Sequence, residues 1–190
     1  MALRNAVLAA LLEGEASGYD LAKGFDATVA NFWATTPQQL YRELERMETE
    51  GLIAARVVVQ ERRPNKRVYS LTEAGRVALR RFTSQVPKPS AIRDELLVQV
   101  QAVDDGDLEA VHASVGDLLD RSRGKLARYE RLRDRLLRGA DETDHLTHAE
   151  RVGPYLTLLR GMAFERENIR WAEEVLDVLA RRSGGSASRE

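Results

Sequence analysis

One stretch of this sequence, residues 36–51, carries both the start signal and the stop signal of a single α-helix. Thr36 can cap the N-terminus, Pro37 suits the first helical turn, and Gln39 stands where it completes a capping box with Thr36. Gly51 follows the last periodic residue, where a left-handed C-terminal cap is favoured. The pattern therefore predicts one helix with defined ends.

The two faces of this helix differ in chemistry. Three apolar side chains recur at helical spacing and predict a buried face, namely Leu40, Leu44 and Met47. The first turns of the opposite face carry side chains that suit base edges and phosphates, namely Gln38, Tyr41 and Arg42. Taken alone, the helix is better interpreted as an amphipathic surface helix with a solvated polar face.

The surrounding chain favours a role in DNA binding. Apolar spacing predicts helices over about 2–12 and 18–28, and Phe32 and Trp33 are expected to bury the link that follows. After Gly51, a β-branched run and an alternating run predict a hairpin with basic residues around its tip. A helix-turn-helix followed by a basic hairpin is the winged-helix arrangement. The candidate DNA-binding residues are Thr36, Gln38, Gln39, Tyr41, Arg42, Arg62, Arg63, Lys66 and Arg67.

Two prolines, Pro87 and Pro89, mark the boundary between two domains, because neither suits a helix interior. The helix before them, predicted over about 72–86, has its apolar positions at Ala74, Val77, Ala78 and Phe82. We predict a DNA-binding domain over 1–86, a helical dimerisation and effector domain over 90–182, and a flexible tail over 183–190. The predicted fold class is mainly α with a small β-hairpin.

The second domain is predicted to consist of helices over about 92–103, 108–137 and 148–182, with a loop at 139–143. The middle helix has a heptad seam that Ser122 and Lys125 interrupt. The last helix has one broad apolar face (Tyr155, Leu156, Leu159, Met162, Ile169, Ala172, Leu176 and Leu179) and a second stripe (Phe164, Trp171, Val175 and Val178). Two such faces require partners on two sides, which a second copy of the chain or the N-terminal domain would supply.

Composition excludes several classes of protein. The 190 residues contain no cysteine, so a disulfide scaffold, a thiol nucleophile and a cysteine-ligated metal site are excluded. The net charge of −1 gives no global basic signal. We expect no signal peptide and no membrane span, and hence a cytoplasmic protein. No phosphate loop or nucleophile motif supports an enzyme, and we expect no cofactor. His145 and His148 lie near acidic residues, but a solvated pair is the better interpretation than a metal site.

Several motifs in order resemble the PadR family of winged-helix transcriptional regulators. They are Gly-Tyr-Asp-Leu at 18–21, Gln-Leu-Tyr-Arg-Glu-Leu at 39–44, Glu-Gly-Leu-Ile at 50–53, and the run from Arg-Pro-Asn-Lys-Arg-Val-Tyr to Glu-Ala-Gly at 63–75. The family's wing often has a glycine before Arg-Pro, and here Arg62 takes that place. Beyond Pro89, the segment 93–97 and the two long helices resemble the extended C-terminal domain of the longer members.

The resemblance implies a homodimer that binds a partly palindromic operator in double-stranded DNA, usually as a repressor. It assigns DNA contact to Tyr41 and phosphate contacts to Arg63, Lys66 and Arg67. It also allows a small aromatic effector, and the candidate residues for an effector pocket or a dimer core are Tyr155, Met162, Phe164 and Trp171. An aromatic stripe of this kind is more often plain core. The alternative function is a protein-interaction module that retains the winged helix without binding DNA.

Overall fold

The computed structural model describes residues 2–25, 35–59, 65–87, 89 and 93–186. The chain divides into two compact units, residues 1–88 and 89–190. The first unit contains helices α1 (Ala2–Ala10), α2 (Gly18–Phe25), α3 (Pro37–Thr49) and α4 (Glu73–Thr83), and strands β1 (Ala16–Ser17), β2 (Ile53–Val58) and β3 (Lys66–Leu71). A short 3-10 helix, Leu11–Glu13, extends α1.

Helices α1 to α4 and the sheet enclose one apolar core. Its buried residues are Val7, Leu8, Leu11, Leu21, Leu40, Leu44, Met47, Ile53, Tyr69 and Leu79. The three apolar positions predicted for α3 are fully buried, so the period of 3.6 residues identified the buried face correctly. The predicted buried link, Phe32 and Trp33, lies outside the described residues.

The sheet has three antiparallel strands in the order β1-β3-β2. The hairpin of β2 and β3 confirms the two predicted strands, with Ile53 opposite Leu71 and Val58 opposite Lys66. Strand β1 was not predicted, because two residues have no measurable alternation. It pairs Ser17 with Val68, and this pairing connects the start of α2 to the hairpin.

Thr72 caps helix α4, but three of its four predicted apolar positions, Ala74, Val77 and Phe82, are exposed, and of the four only Ala78 packs against the core. The Thr72 hydroxyl accepts a hydrogen bond from the Gly75 amide at 3.1 Å. Val77 and Phe82 are 52% and 43% exposed, whereas Gly75 and Leu79 are buried. The reason is a close approach of two backbones, since a Cβ on Gly75 would lie 2.2 Å from the Leu52 carbonyl oxygen. The close contact between Gly75 and the Leu52 backbone sets which side of α4 faces the core, even though the larger apolar residues Val77 and Phe82 lie on another side.

The second unit contains α5 (Glu95–Gln101), α6 (Leu108–Leu137), α7 (Glu142–His148) and α8 (Gly153–Ser186). Helix α6 has the predicted bounds, and Asp107 caps it. Helix α7 was missed, because its polar sequence lacks an apolar period and Asp141 supplies its cap. Helix α8 begins five residues later than predicted and continues to Ser186, into the predicted tail, while residues 187–190 lie outside the described part.

Helices α6 and α8 form the body of the second unit, with two apolar clusters along their contact. One cluster is built from Val111, Val115, Leu119, Ala172 and Leu179, and the other from Tyr129, Leu158 and Met162. Leu156, predicted on the broad face, is 51% exposed, and Leu158 is buried instead. Among the described helices, none combines the length and the apolar character that crossing a bilayer requires.

Candidate nucleic-acid interface

The N-terminus of α3 is held by the predicted capping box. The Thr36 hydroxyl accepts a hydrogen bond from the Gln39 amide at 3.2 Å, and the Gln39 side chain accepts one from the Thr36 amide at 3.1 Å. Pro37 occupies the first turn, and Gly51 takes a φ of 71° after the last turn. Both polar side chains of the box are therefore engaged in fixing where the helix begins.

The outer face of α3 presents three side chains to solvent beside this fixed start. Gln38 and Arg42 are exposed, and within the described part of the chain neither side chain makes a hydrogen bond or an ion pair. Tyr41 is 43% exposed. An amide, a phenol and a guanidinium together can bond to both base edges and phosphate oxygens. Of the predicted α3 residues, these three are free to bind, whereas Thr36 and Gln39 position the helix.

An arginine of α1 anchors the opposite side of α3. Arg4 Nε lies 3.1 Å from Glu43 Oε1, and Arg4 Nη1 lies 2.7 Å from Glu50 Oε2. The hydrogen bond from Arg4 lowers the pKa of the Glu50 carboxyl below its usual value. No local sequence pattern indicates this anchor, since Arg4 lies far from Glu43 and Glu50 in the chain.

The wing is defined as β2, β3 and the segment between them, and its described basic residues lie against carboxylates. Arg67 pairs with Glu48 of α3, and its guanidinium lies 5.8 Å from the centroid of the Tyr69 ring. Lys66 Nζ lies 3.8 Å from Asp20 Oδ2. The two positive charges are thus partly neutralised within the protein. The other predicted wing contacts, Arg62 and Arg63, lie outside the described residues.

The start of α2 is fixed by a second reciprocal pair. The Ser17 hydroxyl donates to Asp20 Oδ2 at 2.6 Å and accepts from the Asp20 amide at 3.1 Å. The hydrogen bonds that the Asp20 carboxylate accepts from the Ser17 hydroxyl and the Ser17 amide lower its pKa, with the hydroxyl as the largest cause. Ser17 also belongs to β1, so the backbone at the start of α2 is held both by the helix cap and by the sheet.

The four candidate effector residues occupy different environments in the second unit. Met162 lies in the cluster with Tyr129 and Leu158, whereas Trp171 packs half-buried against the other cluster. Phe164 is 50% exposed. The structure therefore does not bring the four side chains to one place.

Tyr155 is fully buried, and its ring lies 5.0 Å from that of His145, centroid to centroid. Its hydroxyl makes no hydrogen bond of normal geometry to any described residue. Burial, followed by the nearby Glu142 carboxylate, raises the pKa of the Tyr155 hydroxyl.

The two histidines of α7 are engaged locally. His148 Nδ1 lies 3.0 Å from Asp144 Oδ1, and the Asp141 carboxylate caps the helix by accepting from the Thr143 amide at 2.9 Å. Within the described residues, no three histidine, aspartate or glutamate side chains are arranged to hold a metal ion.

Family models cover both units. Residues 7–81 match the "Transcriptional regulator PadR-like family", and residues 92–180 match "Virulence activator alpha C-term". A "Probable transcriptional regulator" of Mycobacterium tuberculosis, Rv1176c, is 32% identical over 189 residues, which cover 94% of this chain and 98% of that protein.

Solved structures are also similar along nearly the whole chain. Bacillus subtilis PadR, a "Negative transcriptional regulator", is 25% identical in its complex with operator DNA, where the match covers 94% of this chain and 99% of that one with a TM-score of 0.73. Its complex with p-coumaric acid is also 25% identical and covers 94% and 95%, with a TM-score of 0.67. The Vibrio cholerae virulence activator AphA is 31% identical and covers 95% and 99%, with a TM-score of 0.66. The chain belongs to the PadR-like family of transcriptional regulators and carries a C-terminal helical extension.

Proposed function

We propose that this regulator is a dimeric, sequence-specific DNA-binding repressor that acts in the cytoplasm and is released from its operator by a small aromatic molecule. The observation that carries the DNA-binding part is the outer face of α3. Its start is fixed by a capping box, and it presents Gln38, Tyr41 and Arg42 to solvent beside one another. A fixed helix start with donors and acceptors in the first turns is what major-groove reading requires.

The wing is proposed to contact the phosphate backbone. Lys66 and Arg67 stand at the start of β3, next to the turn that carries Arg62 and Arg63 in the sequence. The carboxylates that pair with Lys66 and Arg67 lie on α2 and α3. These pairs are largely exposed, so phosphates can replace the carboxylates at small cost in free energy.

Dimerisation is proposed to use the second apolar stripe of α8. Phe164 and Val178 are 50% and 41% exposed, and Trp171 and Val175 are only partly covered. A partly exposed apolar stripe of this kind along a long helix favours association with a second copy. A dimer would set the distance between two copies of α3, which matches a partly palindromic operator.

The repressor role and the aromatic effector rest on the relatives. Bacillus subtilis PadR is named a negative regulator, and a structure of that protein contains p-coumaric acid. The second unit of this chain has aromatic and methionine side chains that suit flat apolar ligands. Since the four candidate residues lie apart, we propose Phe164 and Trp171 as dimer contacts, and the buried surroundings of Tyr155 and Met162 as the effector region.

Fluorescence anisotropy with labelled duplex tests the DNA-binding proposal. A duplex selected by the protein from a random-sequence library should bind with a steep salt dependence, about 0.9 log unit per log unit of salt for each phosphate neutralised. Tyr41→Ala should lose the preference for the selected duplex over a shuffled one. Lys66→Ala should weaken both alike and reduce the slope by about 1. A dimer that binds no duplex at low salt would instead support a protein-interaction module.

Separate measurements test the dimer and the effector. Sedimentation equilibrium should give a dimer, and Phe164→Glu should give monomers, while Glu167→Gln on the same helix should not. p-Coumaric acid should raise the thermal midpoint and weaken DNA binding if the native protein binds it. A monomeric wild type would refute the dimer, and p-coumaric acid without either effect would refute this compound as the effector.

A further inference from the structure

Gly18, the first residue of α2, lies directly beneath the Tyr41 ring. A Cβ built on Gly18 would stand 2.4 Å from Tyr41 Cε1, 3.1 Å from Cζ and 3.2 Å from Cδ1. Carbon atoms in contact are normally about 3.5–4.0 Å apart, so a methyl group at this position would overlap the ring. Beyond its own helix and chain neighbours, the three atoms nearest to that Cβ all belong to Tyr41.

The backbone conformation does not explain the glycine. Gly14, Gly51 and Gly139 have positive φ angles, but Gly18 does not. A glycine in a helix with an ordinary φ lowers stability relative to alanine. The space occupied by the Tyr41 ring is therefore the physical reason for glycine at this position.

The surface under the ring is rigid. Ser17 pairs with Val68 in the sheet, and its hydroxyl and amide both bond to the Asp20 carboxylate. The backbone at Gly18 is thus held on both sides, and the Tyr41 ring lies against it with 43% of the residue still exposed. A ring supported on one side has fewer orientations available than a freely rotating tyrosine on a helix surface.

We infer that Gly18 is a positioning residue that sets operator preference, because it lets the Tyr41 ring lie against α2 and so fixes the direction of the phenol. The inference rests on the proposed function of α3 and assigns part of its specificity to a residue that need not contact DNA. It differs from the role of Gly75, where an added Cβ would meet a backbone oxygen and disturb the fold. At Gly18 the obstacle is a half-exposed side chain, which can move aside while the fold persists.

A double-mutant cycle tests the inference with four full-length proteins: wild type, Gly18→Ala, Tyr41→Ala and the double variant. The first readout is the ratio of affinities for a duplex selected by the wild type and for a shuffled duplex, at one salt concentration. Gly18→Ala should reduce this ratio by roughly fivefold or more, as expected for a lost base contact. In the Tyr41→Ala background, Gly18→Ala should change nothing, since the ring is already absent.

The second readout is the thermal midpoint of each protein without DNA. In the Tyr41→Ala background, Gly18→Ala should raise the midpoint by about 1–4 °C, because alanine restricts the unfolded chain and meets no obstacle. In the wild-type background this gain should be absent or reversed. Gly124→Ala on α6, where an added Cβ meets nothing within 4 Å, is the matched control and should leave the DNA preference unchanged.

The outcomes separate the two claims. Undiminished operator preference in Gly18→Ala, or the same thermal shift with and without Tyr41, overturns the inference while the proposed function stands. A wild type that binds no duplex refutes the proposed function, and with it the positioning role of Gly18. Loss of preference that depends on the presence of Tyr41 supports both.

Discussion

Glu48→Gln is expected to strengthen DNA binding, because Glu48 pairs with the wing arginine that is proposed to contact phosphate. Arg67 and Glu48 are 49% and 29% exposed in their side chains. The hydrogen bond that Glu48 accepts is the largest cause that raises the pKa of Arg67. An arginine guanidinium is charged at neutral pH with or without such a partner, so DNA binding does not change its charge. Replacing the carboxylate by an amide removes the competing negative charge and leaves the arginine cation in place.

The exposure of the pair limits the size of the effect. A half-exposed pair of this kind contributes about 0–1 kcal/mol, so the variant should remain folded. Because about 1.4 kcal/mol corresponds to a tenfold change in affinity, up to roughly fivefold tighter binding is expected. The salt slope should steepen by up to about 0.9, since the Glu48 carboxylate no longer offsets the charge that Arg67 brings to the phosphate.

Anisotropy titrations at several salt concentrations measure both quantities on one duplex. Glu45→Gln is the control, because Glu45 is exposed on the same helix and makes no ion pair within the described residues. It makes the same change in net charge and keeps the ion pair of Arg67 with Glu48, so only the weaker, longer-range attraction between Glu45 and Arg67 is lost. Unchanged or weaker binding by Glu48→Gln, or an equal gain in Glu45→Gln, would refute the reasoning.

Three further predictions concern stability. Gly75→Ala should lower the free energy of unfolding by about 1–3 kcal/mol in denaturant titrations, because its Cβ would lie 2.2 Å from a backbone oxygen; wild-type stability would contradict this. Lys125→Ala should lower the thermal midpoint more than Arg123→Ala does. The Glu165 carboxylate is only 3% exposed, and Lys125→Ala removes the cation that lies 3.4 Å from it. Equal losses in the two variants would contradict this prediction. The lowered pKa of Asp20 contributes stability above about pH 4 that is lost in acid, so the fall in thermal midpoint between about pH 5 and 3 should be smaller in Asp20→Asn.

Local sequence signals correctly predicted α3 and α6, helices whose ends are marked by capping or breaking residues. The predictions of the capping box of α3, of its buried face and of its end at Gly51 were all correct, because each depends on contacts within a few residues. Helix α6 has the predicted bounds for the same reason. The period identified the buried side of α3, where the core lies on one side only.

Predictions failed where distant segments decide the outcome. The buried side of α4 is set by the close contact of Gly75 with the Leu52 carbonyl. The sequence of α4 alone gives no sign of this contact. The aromatic and methionine residues of α8 were grouped by type, but Met162 lies in one apolar cluster while Phe164 is half exposed. Residue type and spacing define an apolar stripe on a helix, but the helices packed against it decide which residues of the stripe are buried.

Apart from β1 and α7, the sequence by itself determined the order of helices and strands. It also determined the ends of α3 and the chemistry of its outer face, because capping and periodicity act over single turns. Only the tertiary structure decided what surrounds that face. It placed Glu48 on the wing arginine, Arg4 on the two carboxylates of α3, and Gly18 under the Tyr41 ring. Such contacts join segments far apart in the chain, so packing around a common core, rather than local pattern, sets them.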